Sequence, residues 1–197
     1  MLLRITISKG FWGKISFKFL NRALELGSTT PAIFSMKGLA YQRLGDTDKG
    51  LYYMDMALKK DSKDAVFYIR RSDLYVEIKK YEQSIVDLTQ ALDITPEDAM
   101  VFYKRGLSYY FSKKYKNAIQ DFKDSLKHGA HESYEPDLHY HVGIAYSNLE
   151  SFEDAIEPLS RAIKLCPYEA VYMHERAKAY LLTGNFCLRN SLVTKSI

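Results

Sequence analysis

The side chains in this 197-residue chain with the most capacity for chemistry are five histidines, two cysteines and a set of arginines in phase with aspartates. His139 and His141 stand two apart, a spacing that points the rings to different faces of a helix, and no cysteine or carboxylate sits at a supporting offset. No metal site is expected. No Ser/His/Asp grouping, phosphate-binding loop or paired-carboxylate motif occurs either, so the expectation is a protein that is not an enzyme and needs no cofactor. Arg71 and Arg105 each precede an aspartate by sixteen residues, Asp87 and Asp121. That register predicts ion pairs across a helical hairpin. Arg176 repeats the arginine, whereas Val142 and Pro158 replace both partners together.

Two helices per unit must position these groups. In Ala65 to Asp98 the first apolar set is Tyr68, Ser72 and Tyr75, and the second is Tyr81, Ser84, Leu88 and Ala91 before Pro96. Both sets fall at three- and four-residue spacing, which gives each helix one apolar face. A lone hairpin cannot bury two such faces, so units must stack. Aligned copies confirm the repeat: Gly38, Ser72, Gly106, Gly143 and Ala177 are spaced by 34, 34, 37 and 34 residues. Three residues later stand Tyr41, Tyr75, Tyr109, Tyr146 and Tyr180, and four residues earlier Phe34, Tyr68, Phe102, His139 and Met173. These two rows are expected in the core. The second helices contribute Gly50, Ser84, Ala118 and Ala155, then Met54, Leu88, Phe122 and Leu159.

This order of large, small, aromatic and proline positions resembles the tetratricopeptide repeat, over roughly Lys14 to Phe186. The resemblance implies an all-α fold, a right-handed superhelical array of antiparallel helix hairpins. The expected division is a non-repeat start at 1–13, a lone second helix at 14–30, and full repeats at 31–64, 65–98, 99–135 and 136–169. A truncated fifth repeat occupies 170–197, its first helix ending near Leu182 and a turn following at Gly184. The third repeat holds three extra residues, with Gly129 ending one helix and Pro136 opening the next. Pro158 inside a second helix is expected to forfeit a hydrogen bond and kink it.

The charge balance, 28 basic against 24 acidic residues, requires neither nucleic acid nor an anionic membrane as partner. No run approaches the roughly 20 apolar residues of a membrane span. Few cysteines and no Asn-x-Ser/Thr acceptor fit a reducing, cytoplasmic setting. Apolar edges near Lys14 and after Asn185 suggest a chain cut from a longer array, or self-association through uncapped ends.

By the same resemblance the first helices line a concave groove that takes a peptide or helix of a partner protein. The groove positions carried onto this sequence are Ile69, Arg70 and Asp73, followed by Met100, Tyr103 and Lys104. Leu107, Tyr110 and Phe111 complete the third repeat, and Tyr140, His141 and Ile144 stand in the fourth. Ser147, Asn148, Glu175 and Lys178 occupy further groove positions. The carboxylate clamp of chaperone-binding relatives is missing, because its places hold Ser35, Leu39, Arg70, Met100 and Lys104. An interaction scaffold is therefore the expected function. Two alternatives are a docking or regulatory segment of a larger enzyme complex, and RNA binding by a helical repeat, which would want a 35-residue period and a basic groove.

Overall fold

The computed structural model describes residues 17–193, with side chains through Gly184. Readings that fall on 1–16 or 194–197, or on side chains beyond Gly184, lie outside the described residues. Helices and turns, and no strand, occur among the described residues. They divide into two compact units, Met1–Pro96 and Glu97–Ile197. The first unit holds α1 (17–25), α2 (Pro31–Arg43), α3 (Thr47–Lys60), α4 (Ala65–Glu77) and α5 (Tyr81–Ile94). The second holds α6 (Ala99–Phe111), α7 (Tyr115–Lys127), α8 (Glu135–Asn148), α9 (Phe152–Leu165) and α10 (Ala170–Val193). Within each unit α2 pairs with α3, α4 with α5, α6 with α7 and α8 with α9.

Each hairpin turns on one backbone device. The residue seven past the small position takes a positive φ: 80° at Gly45, 58° at Lys79, 63° at Lys113 and 59° at Glu150. The next amide then reaches back to the repeat tyrosine, as in Lys80 N–H to the Tyr75 carbonyl (2.8 Å) and Ser151 N–H to that of Tyr146 (3.0 Å). These six-to-one bonds satisfy carbonyls that the helix end leaves open. Gly184 occupies the corresponding place in the fifth copy without a positive φ. Its helix does not stop near Leu182, and α10 continues to Val193.

Close helix approach explains the small positions. A Cβ on Gly106 would lie 2.6 Å from the Phe122 ring, and one on Gly143 2.4 Å from Leu159. Gly38 and Gly50 face each other backbone to backbone, so the glycine in α3 trades helix propensity for proximity. Phe122, Leu138, Val142 and Ala145 form the core of the second unit, and Phe34, Ala57 and Phe67 a core of the first. In the second unit Pro136 opens α8, and Pro158 is buried inside a helix that runs without interruption from Phe152 to Leu165.

Of the two rows expected in the core, Phe34 alone is buried. Tyr68, Phe102 and His139 are half-buried, as are Tyr41, Tyr75, Tyr109 and Tyr146, while Met173 and Tyr180 are exposed. The buried stripe belongs to Phe67 and Leu74, Val101 and Ser108, Leu138 and Ala145, and Tyr172 and Ala179. Members of each couple are seven residues apart, on one helix face. In the second and third repeats the half-buried rings flank an arginine instead.

Candidate functional site: an aromatic cleft and the arginine slots

The arginine slots follow directly from the hairpin register. Arg71 on α4 makes two hydrogen bonds to Asp87 on α5, Nε to Oδ2 at 2.8 Å and an Nη to Oδ1 at 2.6 Å. Its remaining Nη reaches Asp55 on α3 at 2.7 Å, a partner that the sequence reading missed although it lies sixteen residues before the arginine. Arg105 repeats the fork on Asp121, at 2.7 and 2.8 Å. Both aspartates are buried, so the pairing must offset a large desolvation cost. Carboxylate hydrogen bonding holds the Arg71 and Arg105 guanidinium groups firmly charged.

The predicted groove residues divide between the units. In the first unit Arg70 donates to the buried Ser35 hydroxyl at 2.7 Å, with Ile69 and Asp73 on the same helix, α4, and all three half-buried. Nine remain in the second unit. Met100 and Phe111 are exposed, Lys104 and Leu107 half-buried, and Ile144 buried. His141 sits among rings, with centroids at 5.9 Å to Tyr103, 5.5 Å to Phe122 and 5.3 Å to Tyr140. Its Nδ1 lies 2.6 Å from the Asp137 carbonyl, which can only accept, so Nδ1 carries the proton. Burial lowers its pKa and keeps the imidazole neutral.

Tyr103 stacks on Tyr134 at 5.2 Å, a ring supplied by the three-residue insertion and not picked out from the sequence. Burial pushes the Tyr103 phenol up to about 12. Tyr103 and His141 thus brace the wall of the site, and the open space lies further along α8. There Tyr110, Tyr140 and Ile144 line a cleft of about 240 Å³ with Ser147 and Asn148. Phe152, Glu175 and Lys178 complete its lining. Tyr140 packs on Tyr172 at 4.9 Å, and Asn148 donates to the Tyr110 hydroxyl at 3.3 Å. Burial raises the pKa of Tyr110 and of Tyr140, so both present neutral hydroxyls. The Ser147 hydroxyl is buried and has no hydrogen-bond partner among the described residues, an arrangement that leaves one polar group for an incoming ligand.

Among the described residues no group of three or more His, Cys, Asp or Glu could hold a metal, and no helix is long and apolar enough to cross a membrane. His139 lies 3.7 Å from Glu135 and belongs to another face of α8 than His141.

Family models for the TPR repeat match residues 73–111, and for the tetratricopeptide repeat 136–169. No protein of curated function matches the chain in sequence. Among solved structures, YrrB, described as a TPR protein with an unusual peptide-binding site, superposes with a TM-score of 0.74 at 18% identity, over 87% of each chain. MamA from residue 41 to its end, from Desulfovibrio magneticus RS-1, gives 0.66 at 19% identity, over 80% of this chain and 96% of that one. TTC0263, a thermophilic TPR protein of Thermus thermophilus, gives 0.61 at 18%, over 91% and 97%. Likeness at such identities speaks to fold, and it agrees with the hairpin geometry and the repeat models: the chain is built from tetratricopeptide repeats.

Proposed function

We propose that this chain is a protein-interaction scaffold, a binding module without catalysis of its own, that holds an extended or helical peptide along its first helices. The cleft between Tyr110, Tyr140 and Lys178 is the observation that carries this reading. Its aromatic walls offer large contact area at low entropy cost, as interaction hot spots do. Glu175 and Lys178 supply opposite charges at one rim, and Ser147 supplies the unpartnered hydroxyl. YrrB, with the same fold, is described as having a peptide-binding site. Two features weigh against RNA as the occupant: the 34-residue period and the mixed charge of the cleft.

The test is a peptide-display selection on the whole chain, followed by affinity measurements with Tyr110→Ala and Lys178→Glu. Selected peptides should lose about tenfold or more in affinity on Tyr110→Ala, the scale of one hot-spot residue. Peptides that bind both variants as tightly as the parent would overturn the assignment to this cleft.

A further inference from the structure

Four of the five repeats place a cation just before the small position: Lys37, Arg71, Arg105 and Arg176. Where Arg71 and Arg105 occupy the slot, rings one turn below and above flank the guanidinium. Arg71 Cζ lies 5.9 Å from the centroids of Tyr68 and Tyr75, and Arg105 Cζ lies 5.8 Å from Phe102 and 5.9 Å from Tyr109. A carboxylate sixteen residues on takes the fork. Lys37 also lies against a ring, 4.6 Å from the Tyr53 centroid. Aromatic walls within about 6 Å of a cation are a general cation-binding arrangement.

The fourth repeat keeps the walls and lacks the cation. His139 and Tyr146 stand one turn either side of Val142, and Pro158 replaces the aspartate. The shorter valine leaves a cavity of about 370 Å³ whose lining includes these four residues and Leu126. Glu153, Asp154 and Glu157 surround it, exposed and in no ion pair among the described residues. The one lysine or arginine in the lining is Lys123, an exposed side chain whose Nζ donates to the Tyr146 hydroxyl at 2.9 Å and lies 5.3 Å from that ring's centroid. Tyr146 therefore already binds a cation on part of its surface.

We infer that this slot between α7, α8 and α9 receives an arginine side chain from a partner protein, in the place where the other repeats use their own. The stem of the arginine lies on Val142, Pro158 and Leu126, the guanidinium plane stacks between His139 and Tyr146, and the three carboxylates take its N–H groups. Burial lowers the pKa of His139, so the ring offers a neutral face at pH 7. Three carboxylates against one flexible lysine disfavour an anion. Arginine fits better than lysine, because its plane stacks on rings and forks onto carboxylates while an ammonium holds a tighter water shell. This slot is distinct from the Tyr110 cleft, for the two sets of α8 residues are on different helix faces.

The experiment is an amide chemical-shift titration of the full chain with the capped tripeptide acetyl-Gly-Arg-Gly-amide, its citrulline counterpart and its lysine counterpart. Saturable shifts at His139, Val142 and Tyr146 are expected with the arginine peptide. Binding should be at least about tenfold weaker with citrulline, which keeps the shape and loses the charge. Val142→Arg fills the slot and should abolish those shifts. Glu153→Gln with Glu157→Gln, both on exposed positions, should weaken them without touching the core. The inference fails if these amides do not move, if citrulline binds as well as arginine, if the shifts appear at Tyr110 and Ser147 instead, or if the glutamine variant binds unchanged.

Discussion

In the hairpin of α6 and α7 the space between the helices is closed by a buried ion pair, Arg105 on Asp121; in the hairpin of α8 and α9 the same two places hold Val142 and Pro158. Replacing a buried ion pair by apolar groups is often neutral for stability, because two desolvation costs vanish with one attraction. The difference therefore shows in shape. The paired hairpin fills its slot with its own guanidinium, and the apolar one leaves about 370 Å³ between ring walls that the repeat keeps in both cases.

Breaking one partner should separate the two solutions most sharply. Asp121→Ala takes the buried carboxylate and both bonds of its fork from Arg105, and the expected loss is about 3–5 kcal/mol of unfolding free energy by urea denaturation. Val142→Ala removes only two methyl groups from a site that already borders a cavity, with an expected loss of about 1 kcal/mol. Equal losses at the two positions would mean that the ion pair is no more than an exposed contact.

The next largest effect concerns what the hairpins share. Gly106→Ala drives a methyl into the Phe122 ring, and Gly143→Ala drives one toward Leu159 with the Ala155 carbonyl 3.3 Å away. Phe122 and Leu159 are both fully buried, so neither can swing aside. Each substitution is expected to cost about 1–3 kcal/mol as overpacking. A stability unchanged by Gly143→Ala would show that α8 and α9 can slide apart, and would undo the close-approach account of the glycines.

Much of this was legible before any coordinates. The small residues at 34-residue spacing set the hairpin contacts, and the sixteen-residue register of arginine and aspartate predicted both forks. Asp55 escaped notice because the reading looked for a partner only inside one hairpin, while the guanidinium has a third donor facing the preceding helix. The aromatic rows misled for a related reason. Periodicity identifies one face of a helix, but Tyr68 and Tyr75 border the face and cover a charge, whereas Phe67 and Leu74 sit at its centre. Gly184 matched the turn position by identity alone, and identity did not force the positive φ that ends the other first helices. In the site, Tyr110, Tyr140 and Ile144 were placed in the groove by family resemblance and do share one cleft. Tyr134 carries no repeat signature that would have singled it out as a support for Tyr103, and Tyr172 holds the place of Phe67, Val101 and Leu138, a row that the aromatic periodicity did not set in the core.

His141 and Arg105 lie in one unit and respond to pH in different ways. Arg105 stays charged throughout, whereas the His141 pKa in the folded state lies below its ordinary value of 6.5, because burial among rings opposes the charge. The unfolded chain therefore binds more protons between that lowered pKa and 6.5, and the sign follows. The stabilising effect is complete above 6.5 and is lost as the pH falls through that window. Melting temperatures at about pH 7.5 and pH 5.5 should differ more for the parent than for His141→Phe, which keeps a ring and removes the titration. A pH slope untouched by His141→Phe would assign the dependence to His139 or to carboxylates.

The smallest effect separates the two carboxylates on Arg71. The side chain of Asp87 is 2% exposed and that of Asp55 48%, although their bonds to the guanidinium have nearly the same length. Length alone would predict equal worth. Solvent and salt screen the Asp55 pair, so Asp55→Ala is expected to cost under about 1 kcal/mol, and less still in high salt. Removing Asp87 instead leaves Arg71 with only that screened partner, in a slot shaped for two. The contrast is measured by urea midpoints of Asp55→Ala and Asp87→Ala at low and high ionic strength. A salt-insensitive loss at Asp55 equal to that at Asp87 would place both carboxylates inside the protein's low-dielectric interior, and the guanidinium would then be a bridge between repeats as much as a fastener within one.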